Sequence, residues 1–160
     1  MTILREVIAA LRLKSLKLAT AESCTGGMVA ASITDIAGSS DVFDRGFVTY
    51  SNLSKAEMLG VPPVLIATHG AVSKQVAMAM ASGALLYSLA QISIAITGVA
   101  GPSGGSMDKP VGLVHFACAM KGAEALHVEK RFGELSRGEI RNLAVKTALE
   151  LILLQLARTP

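Results

Sequence analysis

Hydrophobic and polar positions follow two rhythms along this chain, and each switch between them marks an element. From Met1 to Lys14 the apolar residues Ile3, Val7, Ile8, Leu11 and Leu13 recur at helical spacing, interrupted by Arg5, Glu6 and Arg12. That predicts an amphipathic helix rather than a signal peptide or membrane span. Lys17 to Ala21 then reads as a short strand, and Gly27 to Ile36 as a helix with Met28, Val29, Ala31, Ile33 and Ile36 at helical spacing. The β-branched and aromatic run Gly46 to Tyr50 predicts a second strand. Ser54-Lys55-Ala56-Glu57 has the form of a capping box, so a short helix is expected to stop at Gly60, before Pro62 and Pro63.

Ser73 to Ala90 carries Val76, Ala77, Met80, Ala84, Leu85 and Leu89 on one side and predicts a longer helix. The apolar run Ile92 to Thr97, bounded by Gly98, predicts a strand covered on both faces. A glycine-rich loop follows through Gly101, Gly104 and Gly105 to Pro110. Val111 to Ala119 and Ala125 to Phe132 predict a hairpin, and Ser136-Arg137-Gly138-Glu139 is a second capping box opening a helix to about Leu156. The expected fold is α/β: a three-layer α/β/α sandwich around a mixed, mostly parallel sheet of about five strands. Residues 1–160 read as a single domain.

Composition narrows the function classes. Hydrophobic residues make up 51% of the chain but aromatics only 4%, so glycine, alanine and small aliphatics must build the core by close helix-on-sheet packing. The net charge of +3 is scattered, with no basic run, which gives a nucleic-acid role little support. Cys24 and Cys118 are too few and too far apart for a disulfide scaffold or zinc site, and they fit a reducing cytoplasm. His69, His115 and His127 stand at no ligand spacing, so neither a metal nor another cofactor is expected. The apolar helices and small-residue content suggest a homo-oligomer.

The chemistry gathers where strands end, because ligands of open α/β sheets bind at the carboxyl ends of the strands. Those positions hold Ser23, in Thr20-Ala21-Glu22-Ser23-Cys24-Thr25-Gly26-Gly27; Tyr50, with Lys55 just beyond; and Thr97, before the glycine loop. Open N–H groups in the Ser23 turn suit an anion or a developing oxyanion, while the GxxxxGK[ST] pattern of a phosphate-cradling loop is missing. Ser–Lys catalysis needs a neutral amine, and an unperturbed lysine is neutral only about 0.04% of the time at pH 7. Burial would tune it, and the Tyr50 hydroxyl could orient Lys55 or relay a proton to Ser23. Cys24 is the rival nucleophile, without a histidine beside it in sequence. Glu22 serves either the helix N-terminus or a ligand. Arg137 and Arg141, one helical turn apart, form either a solvated face or a clamp for phosphate or carboxylate.

Five ordered segments together resemble the CinA C-terminal domain family, the nicotinamide mononucleotide deamidases. They are TAESCTGG at residues 20–27, VTYSNLSKAEMLGV at 48–61, GAVS at 70–73, TGVAGPSGG at 97–105 and KPVG at 109–112. The resemblance implies an amidohydrolase converting nicotinamide mononucleotide and water to nicotinate mononucleotide and ammonia, in pyridine nucleotide recycling. It places the nucleophile on Ser23, the base on Lys55, a tyrosine on Tyr50 and a supporting threonine on Thr97. Substrate contacts are expected from Glu22, Cys24, Thr25, Gly26, Gly98, Gly101, Gly104 and Gly105. The family's late arginine pair falls on Arg137 and Arg141, although Glu134-Leu135-Ser136 lengthens the turn before them. The other reading of the same pocket is a noncatalytic nucleotide-binding module.

Overall fold

The computed structural model describes residues 2–159. Its elements run α1 (Thr2–Leu13), β1 (Leu18–Glu22), α2 (Met28–Thr34), β2 (Phe43–Val48), α3 (Asn52–Leu59), α4 (Pro63–His69), α5 (Lys74–Leu86), β3 (Ile92–Gly98), β4 (Leu113–Met120), β5 (Leu126–Arg131) and α6 (Arg137–Ala157). Met1, where the expected first helix begins, and Pro160 lie outside the described residues.

The five strands form one sheet in the order β2-β1-β3-β4-β5. β1 pairs in parallel with β2 and β3, while β4 runs antiparallel to both β3 and β5. Four strands therefore point the same way and β4 alone is reversed, as the mixed, mostly parallel expectation requires. Alternation along the strands sorts two cores. Leu18, Ile92, Ile94, Ile96, Val114 and Phe116 face α1, α2 and α6. Ala19, Ala21, Ala95, Ala117 and Ala119 face the α3–α5 side. The alanine face lets α5 lie close to the sheet, where Ser93 Oγ donates to the Ala81 carbonyl at 2.7 Å. Helices on both faces make the three-layer sandwich.

Close approach also fixes α3 against α5. A Cβ built on Gly83 would lie 2.0 Å from the Leu59 carbonyl oxygen, so only glycine permits this crossing. Through it, the alanine-rich layer sets the height of the helix that carries Lys55.

Several boundaries differ from expectation. α3 is capped by Ser51, whose Oγ accepts the Ser54 amide at 3.1 Å, so the helix starts one turn before the expected Ser54 box. Pro63 to His69 forms a helix not anticipated from the sequence, with Pro63 supplying its first residue. α5 stops at Leu86 rather than Ala90, because β2 captures the chain there: Asp44 Oδ2 accepts the Leu89 amide at 3.0 Å, and Arg45 donates to the Tyr87 carbonyl at 3.1 Å. The Ser136–Glu139 capping box forms as expected.

Candidate functional site

β1 lies between β2 and β3, so the chain leaves it toward one edge of the sheet and later returns on its other side. This is a topological switch point, where adjacent loops part and open a crevice. The strand ends are flush there, with Glu22 opposite both Val48 and Ile96. One more backbone bond on each side, Ser23 N–H to the Ile96 carbonyl at 3.0 Å and Thr49 N–H to the Glu22 carbonyl at 2.9 Å, carries the order into the first loop residues. Ser23 is thus held at the floor of a cleft of about 340 Å³, within the range of small-molecule sites.

Lys55 reaches Ser23 from the second turn of α3. Its Nζ donates to Ser23 Oγ at 3.1 Å, to the Thr49 carbonyl at 3.0 Å and to the Tyr50 carbonyl at 3.4 Å. The side chain is 1% exposed, and Lys55 forms no ion pair among the described residues. A buried amine without a counter-ion favours its neutral form, and burial pushes Lys55 below the usual lysine value. Ser23 is 8% exposed, so the pair sits at the inner end of the cleft. Cys24 lies beside it, but burial pushes its thiol up to about 11, so it is a protonated thiol at neutral pH.

In the turn after Ser23, Glu22 takes the helix N-terminus, one of the two roles its sequence position left open. Glu22 is fully buried, and its carboxylate accepts the Val29 amide at 2.8 Å, the Ala30 amide at 3.1 Å and the Thr25 hydroxyl at 2.7 Å. The α2 N-terminus is therefore capped by the chain's own carboxylate and is not open to a ligand. Glu22 and Thr25 spend their side chains on this cap, and neither they nor Gly26 line the cleft. Arg141 also stays out of the cleft, donating to the Cys24 and Thr25 carbonyls at 3.0 and 3.3 Å.

Arg137 does line the cleft, at its mouth. It donates to the Gly101 carbonyl and to the Tyr50 hydroxyl, each at 2.7 Å. Tyr50 is 61% exposed, so its hydroxyl faces the rim rather than Ser23, and its carbonyl is the atom that touches Lys55. Thr97 reaches the cleft wall but donates its hydroxyl to the Ala71 carbonyl at 2.8 Å, pinning the loop before α5. Gly98, Gly101 and Gly104 line the cleft, whereas Gly105 faces a neighbouring hollow with Met107 and Glu134. The amides of Ala100, Gly101, Ser103, Gly104 and Gly105 have no acceptor among the described residues, so the loop offers several free donors.

Sequence reasoning missed Asn52, Ala71, Val72, Val99, Ala100 and Ser103 on the cleft wall. All six carried a usable signal, since each lies inside a segment quoted for the resemblance: Asn52 in 48–61, Ala71 and Val72 in 70–73, and Val99, Ala100 and Ser103 in 97–105. His115 and His127 are far from this cleft in role: they stack on each other, with Nδ1 and Nε2 2.9 Å apart on β4 and β5. Among the described residues no group of three His, Cys, Asp or Glu could hold a metal ion, and no helix is long and apolar enough to cross a membrane.

Residues 1–156 match the family described as CinA C-terminal domain. The nicotinamide-nucleotide amidohydrolase PncC of Escherichia coli (strain K12) is 48% identical over 150 residues, which are 94% of this chain and 90% of that protein. A CinA-like protein of Syntrophobacter fumaroxidans is 48% identical over 89% of this chain but only 33% of its own length. The chain thus spans about a third of some curated relatives it matches and nine tenths of others. The crystal structure of the competence/damage inducible protein CihA from Agrobacterium tumefaciens superposes with a TM-score of 0.94 at 51% identity, covering 98% of this chain and 94% of that one.

Proposed function

The chain belongs to the CinA C-terminal domain family, and we propose that it hydrolyses nicotinamide mononucleotide to nicotinate mononucleotide and ammonia. The observation that carries this reading is the buried contact of 3.1 Å between Lys55 Nζ and Ser23 Oγ at the floor of the cleft. The reaction named for the Escherichia coli relative supplies the substrate class.

In this reading neutral Lys55 takes the Ser23 proton as Oγ attacks the carboxamide carbon. The carboxamide oxygen becomes an oxyanion beside unpaired backbone amides of the cleft. The Lys55 ammonium then returns the proton to the leaving nitrogen, ammonia departs, and the nicotinoyl group remains as an ester on Ser23. Water attacks that ester, giving its proton to Lys55, which passes it to Ser23 Oγ as nicotinate mononucleotide leaves. The pyridinium charge withdraws electrons from the carboxamide and favours both attacks. Arg137 and the free amides of the glycine loop are suited to the ribose phosphate. Tyr50 acts through its carbonyl on Lys55 and through its hydroxyl on Arg137. The scheme uses no metal or organic cofactor. We place it in the cytoplasm, where the free thiols of Cys24 and Cys118 persist, with residues 1–160 acting as one domain in a homo-oligomer.

The test is ammonia release from nicotinamide mononucleotide by the purified protein. Ser23→Ala and Lys55→Ala are expected to abolish turnover while calorimetry still detects binding. Binding without turnover in the parent would overturn the hydrolase in favour of a nucleotide-binding module.

A further inference from the structure

The two arginines at the start of α6 lie one turn apart but do different work. Arg137 faces the cleft, whereas Arg141 crosses behind the nucleophile turn. Its Nε donates to the Cys24 carbonyl at 3.0 Å and its Nη2 to the Thr25 carbonyl at 3.3 Å. Two successive carbonyls are thus held by one planar, permanently charged fork, an arrangement a lysine ammonium cannot reproduce.

The grip has a directional consequence. In a trans peptide the N–H points opposite to the C=O. The Ser23 carbonyl accepts the Gly26 N–H at 3.0 Å, with Gly26 at a φ of 57°, so the Cys24 N–H of the same peptide points the other way. Cys24 lines the cleft and its N–H has no acceptor among the described residues, whereas Thr25 is fully buried and lies off the cleft wall. Arg141 on the Cys24 and Thr25 carbonyls and Gly26 on the Ser23 carbonyl therefore hold the turn from two sides.

We propose that Arg141 is a positioning residue: it locks the turn after Ser23 so that the Cys24 N–H, at the cleft wall, meets the oxyanion formed there. The claim rests on Ser23 being the nucleophile, and it replaces the expectation that Arg141 clamps substrate phosphate. Occupied by two main-chain carbonyls and absent from the cleft wall, its guanidinium is not placed for that clamp.

Steady-state kinetics of Arg141→Gln and Arg141→Lys on nicotinamide mononucleotide distinguish the two roles. The proposal expects Arg141→Gln to lower kcat by about 10- to 100-fold, below the loss of a whole oxyanion donor. KM is expected to stay within about threefold, and Arg141→Lys to recover part of kcat by holding one carbonyl. A KM raised roughly tenfold or more at preserved kcat would overturn the proposal in favour of a phosphate ligand, and unchanged kinetics would overturn it outright. Thermal melting identifies a variant that has failed to fold, in which case Arg141→Lys carries the test alone, with reduced kcat and preserved KM expected.

Hydrogen exchange of the unliganded protein gives a readout that needs no substrate. Amides 23–27 are expected to exchange about tenfold faster in either variant while α6 keeps its protection. Unchanged exchange there refutes the positioning role. A parent that releases no ammonia counts instead against the proposed function, and the exchange result still decides what Arg141 does.

Discussion

Titration of Lys55 connects the fold to the chemistry in one experiment. At the ordinary lysine value of 10.5, the amine would be neutral about 0.03% of the time at pH 7. Burial lowers the folded value, so the neutral fraction at any lower pH is larger than that. Below the folded value the neutral form falls tenfold per pH unit, and kcat/KM should fall with it. The same shift appears in stability. Between the folded value and 10.5 the unfolded chain carries a proton that the folded chain does not, so stability rises with pH by up to about 1.4 kcal/mol per unit. Below the folded value both states are protonated, and the full cost of burying the ammonium is present. Lys55→Met keeps an unbranched chain of similar length and removes the titration. Urea unfolding of both proteins at intervals from pH 7 to 10.5, alongside ammonia release by the parent, should show parent stability gaining on the variant over the pH range in which kcat/KM levels off. A stability difference flat across that range, or an activity limb centred at or above 10.5, would refute the argument that Lys55 is a base tuned by burial.

Three further outcomes follow from the geometry. Tyr50→Phe should leave kcat within about threefold, because the hydroxyl meets Arg137 at the rim rather than Ser23; a loss of 10²-fold or more, the scale of a missing acid–base group, would restore the proton relay. Cys24→Ala should retain turnover, and the parent should resist iodoacetamide at pH 7, because its thiol is pushed up to about 11; loss of activity with Ser23→Ala tolerated would make Cys24 the nucleophile. Gly83→Ala places a methyl 2.0 Å from the Leu59 carbonyl and should cost about 1–3 kcal/mol in urea unfolding, with a fall in kcat as α3 is pushed away from Ser23. Unchanged stability would show that α3 and α5 can separate without consequence.

Much of the fold was legible because burial alternates with fixed periods. The continuous apolar run at β3 and the small-residue spacing of α5 each announced their element, and Ser136 with Glu139 marked the start of α6. Capping of α3 was less determined: Ser51 and Ser54 both carry the right hydroxyl, and the path of the chain out of β2 selects Ser51. Ser23, Lys55 and Thr97 could be picked out as residues at or beyond strand ends, which is a local property. Their meeting is not local. Ser23 and Lys55 are 32 positions apart, and β1 has to lie between β2 and β3 for the amine to reach the hydroxyl.

The sequence by itself determined which residue types stand at the strand exits and which faces are buried, since both follow from spacing along one chain. Tertiary structure alone decided where the polar side chains around the turn point. Glu22 turns to the α2 amides, Arg141 reaches across 117 positions to the Cys24 carbonyl, and Tyr50 meets Arg137. Each of these groups could have faced substrate on its chemistry. Buried donors and acceptors must find partners wherever packing brings them, and that requirement is satisfied in three dimensions rather than along the sequence.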